Sequence, residues 1–210
     1  MSLRKINTCL QDYEVPYYPF PKNPSLIEYD GEYAYKYLEP FEVNKIINTL
    51  ANKIEFSQYD AVLVNIQGGY PLFKDLALIK GFDRKPIQIE YHRPDCGIGS
   101  NIVIPVPEFL KGKKCLVIDD IADRKTTFQS ILETLSDESL CVALVTKRDI
   151  PNQAYIKNII IGAELDKIWL AGKGMNIDYI NDPFYKKDSF RNYDGIVARP
   201  PDDVLQKLIY

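Results

Sequence analysis

Lys114-Cys115-Leu116-Val117-Ile118-Asp119-Asp120-Ile121-Ala122-Asp123-Arg124-Lys125-Thr126-Thr127 is an apolar run that stops at two acids and restarts as a helix. Cys115 to Ile118 form an uninterrupted apolar quartet, which suits a strand buried on both faces of a parallel sheet. Phe128, Ile131, Leu132 and Leu135 then recur at the spacing of a helix packed on that sheet, with Thr126 and Thr127 placed to cap it. The short loop between strand and helix carries Asp119, Asp120 and Asp123. In open α/β sheets ligands bind beyond the carboxyl ends of strands, and backbone N–H groups at a helix start attract anions. Acids beside such an anion site call for a cation or for sugar hydroxyls. Taken alone, the stretch also describes an ordinary strand-to-helix turn with solvated acids.

It resembles the ribose-phosphate signature of the type I phosphoribosyltransferases, in which a hydrophobic strand leads to two acids, two mostly apolar residues, a third acid and a Thr/Gly-rich phosphate loop. Asp119, Asp120, Asp123 and Thr127 match that pattern. Where the family has Thr-Gly after the third acid, this chain has Arg124-Lys125. A side chain at the glycine position either blocks the backbone's approach to a phosphate or adds a cation to the same pocket.

A second apolar run, Ala61-Val62-Leu63-Val64-Asn65-Ile66, reads as another buried strand and leads into Gln67-Gly68-Gly69-Tyr70-Pro71-Leu72-Phe73-Lys74-Asp75-Leu76. This resembles the pyrophosphate loop of the hypoxanthine-guanine branch, with Gln67 in place of the family's basic residue. The glycines are expected to let the backbone approach an anion in dihedrals that a β-carbon forbids. A third pair of segments is Val142-Ala143-Leu144-Val145-Thr146-Lys147-Arg148 and, downstream, Trp169-Leu170-Ala171-Gly172-Lys173-Gly174-Met175-Asn176. Read singly, Lys147 is a solvated strand end and the sole tryptophan is core. The purine branch places a lysine that donates to the exocyclic oxygen of the base and an aromatic that stacks on its ring, and Lys147 and Trp169 stand in those places. Leu170 would offer its backbone to the base edge. Asn176 stands where the family has an acid touching magnesium.

The resemblance spans roughly residues 40 to 185, with the loops in the family's order. It implies an α/β fold with a central, mainly parallel sheet flanked by helices and a small hood. It also implies transfer of phosphoribose from phosphoribosyl pyrophosphate to an oxopurine base, with Mg2+ held by Asp119, Asp120 and Asn176, in a homo-oligomer. Asp123 would be the general acid or base. Asp119 and Asp120 would hold the ribose hydroxyls, and Arg124, Lys125, Thr126 and Thr127 the 5′-phosphate. Gln67, Gly68 and Gly69 would face pyrophosphate, and Lys147, Trp169 and Leu170 the purine. The substitutions at Gln67, Arg124, Lys125 and Asn176 keep open a regulatory, non-catalytic nucleotide-binding protein of the same fold. A phosphotransfer receiver also ends strands in acids, but leaves the Gly-Gly loop unexplained.

Composition agrees with this class. With 210 residues, 46% of them hydrophobic, the chain buries a substantial core. A net charge of -3 without any basic block argues against nucleic acid as a partner. No apolar run is long enough to span a bilayer and no signal peptide is recognisable. Cys9, Cys96, Cys115 and Cys141 are scattered without CxxC spacing, as expected of reduced thiols in a cytoplasmic protein. A single histidine, His92, leaves little for a Cys/His zinc site or a histidine-based triad.

Three regions are expected. Residues 1–39, dense in tyrosine and proline, form an appendage draped over the domain or a neighbouring subunit, with a hood that closes over the base as the functional alternative. Residues 40–185 form the phosphoribosyltransferase-like domain, starting with a helix through Phe41, Ile46, Ile47, Leu50 and Ile54. The segment from Tyr91 to Asn101 has the position of a closing loop, and residues 186–210 form a tail.

Overall fold

The computed structural model describes residues 2–6, 13–66, 68–92, 101–150, 154–168, 170–175 and 189–209. In chain order the strands are β1 (Ser2–Ile6), β2 (Tyr13–Tyr18), β3 (Leu26–Tyr29), β4 (Glu32–Leu38), β5 (Ala61–Asn65), β6 (Ile87–His92), β7 (Asn101–Ile104), β8 (Cys115–Ile121), β9 (Leu140–Lys147), β10 (Ile159–Leu165), β11 (Leu170–Ala171) and β12 (Ile196–Ala198). The α-helices are α1 (Pro40–Ala51), α2 (Gly69–Lys80), α3 (Thr126–Leu132) and α4 (Asp202–Ile209).

Eight strands form the main sheet in the order β1-β2-β10-β9-β8-β5-β6-β7. The pairings from β2 through β10, β9, β8 and β5 to β6 are parallel, and only the outer strands β1 and β7 run antiparallel to their neighbours. Alternation along the central strands explains their continuous apolar runs. Val62, Val64, Leu116, Ile118, Val142 and Leu144 face α1 and α2, while Leu63, Cys115, Val117, Cys141 and Ala143 face α3. Both faces are therefore covered, as a parallel sheet requires. Each large apolar side chain so removed from water contributes about 1.5–3 kcal/mol.

Helix α1 begins with Pro40 at its first turn and a reciprocal capping box between Glu39 and Glu42. Val43, Ile46, Ile47 and Leu50 are buried on the sheet, whereas Phe41, expected on that face, is 70% exposed. Ile54 is buried beyond the helix end. Helix α3 is shorter than its apolar spacing suggests: Leu135 lies past Leu132, in the following turn, and is still buried.

A second, antiparallel sheet has the order β11-β12-β4-β3. Residues 13–38, read from sequence as a draped segment, thus supply a strand to the main sheet and a hairpin to the smaller one. Tyrosine spacing is too irregular to show this, because β2 and β4 are only partly buried and their pattern lacks clean alternation. The C-terminal region likewise contributes β12 and α4. Among the described residues, no helix is long and apolar enough to cross a membrane. Gln67, Trp169, Asn176 and residues 93–100 of the expected closing loop lie outside the described residues.

Candidate active site

Strands β5, β8 and β9 run side by side in parallel, so their carboxyl ends open at one edge of the sheet. Asp119 and Asp120 end the buried part of β8, and as consecutive strand residues they point to opposite faces. Asp119 is 6% exposed and accepts a hydrogen bond from the Asn65 side-chain amide, Nδ2 to Oδ2 at 3.1 Å. Its Oδ1 accepts from the Asp120 backbone N–H at 3.0 Å. Asn65 in turn accepts from the Tyr91 N–H, at 3.4 Å, and so ties the ends of β5, β6 and β8 together. Burial, reinforced by the charge of Asp120, pushes the Asp119 carboxyl well above the ordinary carboxylate range, against the smaller pull of the Asn65 hydrogen bond.

On the other face, Asp120 stands against Gly68. A β-carbon on Gly68 would collide with the Asp120 carboxylate, and one on Gly69 would collide with the Ile118 carbonyl. Gly68 has φ -139° and Gly69 opens helix α2. The expected role in forbidden dihedrals is therefore corrected: these glycines remove side chains so that the loop can lie directly on the acid-bearing strand.

Beyond β8, the Ala122 N–H donates to the Val145 carbonyl and the Thr146 hydroxyl donates to the Ala122 carbonyl, at 2.9 and 2.8 Å. These bonds fold the loop over the end of β9. They bring Asp123 to Lys147, with Oδ2 and Nζ 3.2 Å apart and both side chains largely buried, at 8% and 11% exposure. Lys147 is thus not a solvated strand end.

The following turn differs from expectation at its cap. Lys125, not a threonine, is the N-cap of α3, with φ 60° and ψ 10°, and no side chain caps the helix. Thr126 and Thr127 form its first two residues. The first helical bond is donated by Gln129 to the Lys125 carbonyl, so the N–H groups of residues 126–128 have no acceptor within the helix. The left-handed conformation at Lys125 suits the glycine that the resembled family carries there. Burial lowers the affinity of the Lys125 ammonium for its proton, and it makes no ion pair among the described residues. Arg124 is exposed, and its carbonyl accepts from the Ala154 N–H at 2.8 Å.

Leu170 opens β11, is buried and pairs with Ala198 of β12. Among the described residues, no cluster of three or more His, Cys, Asp or Glu side chains is arranged to hold a metal ion. The sequence reading missed Asn65 as a site residue. Its signal was a lone polar residue at the carboxyl end of an apolar strand, a place where a side chain either reaches the site or is left unsatisfied.

No family model and no curated protein matches the chain. Solved structures do. The chain is similar to a hypoxanthine phosphoribosyltransferase from Staphylococcus aureus, at 18% identity and TM-score 0.59 over 80% of this chain and 92% of the other. It is similar to the Trypanosoma cruzi hypoxanthine phosphoribosyltransferase in complex with the product IMP, at 16% identity and TM-score 0.61 over 87% and 97%. A second structure of the Trypanosoma cruzi enzyme, from work on the role of its C-terminal region in oligomeric state and activity, gives 15% identity and TM-score 0.64 over 89% and 100%. The chain has the fold of the type I phosphoribosyltransferases of the purine branch.

Proposed function

We propose that the protein transfers phosphoribose from phosphoribosyl pyrophosphate to an oxopurine, releasing pyrophosphate. The observation that carries this reading is the buried Lys147–Asp123 pair beside Asp119 and Asp120. An oxopurine presents its exocyclic oxygen and N7 side by side on one edge. An ammonium and a carboxylate held 3.2 Å apart offer a donor and a proton acceptor to those two atoms. Lys147 would donate to the oxygen and thereby disfavour an amino purine, whose NH2 would set donor against donor at that position.

As the N9–C1′ bond forms and the C1′–O bond to pyrophosphate breaks, the proton on N7 would pass to Asp123. Asp119 and Asp120 would accept hydrogen bonds from the ribose hydroxyls. The N–H groups of residues 126–128 and the Lys125 ammonium would receive the 5′-phosphate. Trp169 stacking on the base, and Gln67 facing pyrophosphate, rest on sequence alone. The acids fit magnesium in one respect: two carboxylates on neighbouring residues, one of them pushed toward neutrality by burial and then by the charge of the other, are hard oxygen donors that a cation relieves. Such an ion needs only one or two protein carboxylates when substrate oxygens complete its shell, and Asn176 is the sequence's candidate for a third ligand. Magnesium would supply charge neutralisation for the departing pyrophosphate.

Lys125 favours a second reading, a regulatory protein that binds nucleotide without turnover, because a side chain stands at the left-handed position where the resembled family's loop carries glycine. Coupled detection of pyrophosphate release across a panel of purine bases separates the two. The expected result is magnesium-dependent release with one or more oxopurines, with Lys125→Gly as active as the wild type or more so. Nucleotide binding with no release for any base would support the regulatory reading. Failure of the wild type to bind phosphoribosyl pyrophosphate or nucleotide at millimolar concentration would overturn both.

A further inference from the structure

Residues 172–174 form a turn with three successive positive φ values, Gly172 at 99°, Lys173 at 53° and Gly174 at 96°. The outer two positions admit glycine alone for steric reasons as well. A β-carbon on Gly172 would collide with the Gly195 carbonyl, and one on Gly174 with the Gly68 carbonyl. The turn is therefore wedged between the loop that follows β5 and the segment that leads into β12. Backbone bonds fix it there: the Lys173 N–H donates to the Tyr193 carbonyl at 2.8 Å, and the Gly174 N–H to the Arg191 carbonyl at 3.0 Å.

Between two glycines, a lysine in the left-handed region is the locally unfavourable choice. Its side chain supplies a reason. Lys173 Nζ lies 2.9 Å from Asp75 Oδ2, on helix α2, and 3.1 Å from Asp194 Oδ1. The side chain is only 10% exposed. Burial pulls its affinity for the proton down, but the bonds to the two acids outweigh burial and hold the ammonium above its usual value. The lysine thus clamps the turn to the helix that starts at Gly68-Gly69.

These contacts form one continuous chain. Lys173 fixes the turn to α2, Gly174 presses on the Gly68 carbonyl, and Gly68 in turn lies on the Asp120 carboxylate. We propose that Lys173 is a positioning residue for the pyrophosphate-binding loop, acting through Asp75 and Gly174 to hold Gly68 against Asp120. The inference rests on the phosphoribosyl-transfer reading above. It assigns the clamp an effect confined to the pyrophosphate side of the site, because the Lys147–Asp123 pair and the 5′-phosphate loop lie on other strands and Leu170, just before the turn, is fixed independently by its pairing with Ala198.

Calorimetric titration tests it with two probes, magnesium phosphoribosyl pyrophosphate and inosine monophosphate, on the wild type, Lys173→Met, Lys173→Arg and Asp75→Asn. A displaced loop that forfeits about one hydrogen bond to the ligand loses roughly tenfold in affinity, so Lys173→Met should weaken phosphoribosyl pyrophosphate by about that factor and leave inosine monophosphate nearly unchanged. Lys173→Arg should recover most of the loss. Asp75→Asn, nearly isosteric on a helix, should show the same selective loss, and it carries the test if Lys173→Met does not fold. Equal weakening toward both probes would make the clamp merely structural, and no weakening toward either would also overturn the proposal. A wild type that binds neither probe would overturn the transferase reading and this inference with it, whereas a wild type that binds both keeps that reading whatever the variants do.

Discussion

Asp119 illustrates how a residue's environment reverses the usual behaviour of its type. A paired carboxylate ordinarily stabilises a fold as pH rises; Asp119, buried beside Asp120, does the opposite. Between the ordinary carboxylate value and its own raised value, the folded chain keeps a proton that the unfolded chain has released. The folded state binds more protons in that window, so this group's contribution to stability falls as pH rises through it. Thermal melts from about pH 5 to about pH 8 should show that decline, and Asp119→Asn should flatten it. Identical slopes for the two proteins would mean that Asp119 is ionised throughout. The position of Asp119, Asp120 and Asp123 was legible in the sequence because an apolar run that breaks into acids marks the carboxyl end of a buried strand, where the sheet opens to a ligand. The bond from Asn65 to Asp119 was not, since a lone polar residue at the end of an apolar run marks a place at the site but not the neighbouring strand it will reach.

At the scale of elements, the parallel strands were legible because both their faces are covered, and an uninterrupted apolar run has no other home. The edge was not. Strand β2 is recruited by a latch rather than by a pattern: Asp166, just past β10, accepts from the Tyr17 hydroxyl at 2.6 Å and from the Phe20 N–H at 2.7 Å, one bond to each carboxylate oxygen. Its own N–H donates to the Tyr37 hydroxyl at 2.9 Å, and that hydroxyl donates to the Tyr18 carbonyl at 2.7 Å. Bonds between residues more than a hundred positions apart leave no periodic trace. Asp166→Asn leaves one of the two donors facing an amide NH2, a loss of about 1–3 kcal/mol by the worth of hydrogen bonds to a charged acceptor. Urea titration should register it as a lower midpoint with an unchanged slope. A midpoint equal to the wild type's would show that the latch adds nothing to β2's pairing.

For the whole molecule, β2, flanked in turn by β1, pairs with the carboxyl end of β10, whose sequence Ile159-Ile160-Ile161-Gly162-Ala163-Glu164-Leu165 is nearly all apolar. Deleting residues 1–20 would leave that strand as the edge of an eight-stranded sheet reduced to six, with its carboxyl end, at Glu164 and Leu165, stripped of the partner strand. Light scattering should detect self-association of the truncated protein at concentrations where the full chain stays dispersed. A truncated protein that remains monodisperse would mean that another segment covers β10.

The same pairing sets an order of events during synthesis. Phe20 finds its acceptor on Asp166 only after 146 further residues have been made, and the strand it follows lies beside β10. At ribosomal speeds of roughly 5–20 residues per second, β2 waits on the order of ten seconds for its neighbour. Pro16, in the middle of β2, withholds one backbone donor for all of that interval, which makes the waiting strand a poorer template for any other chain it meets.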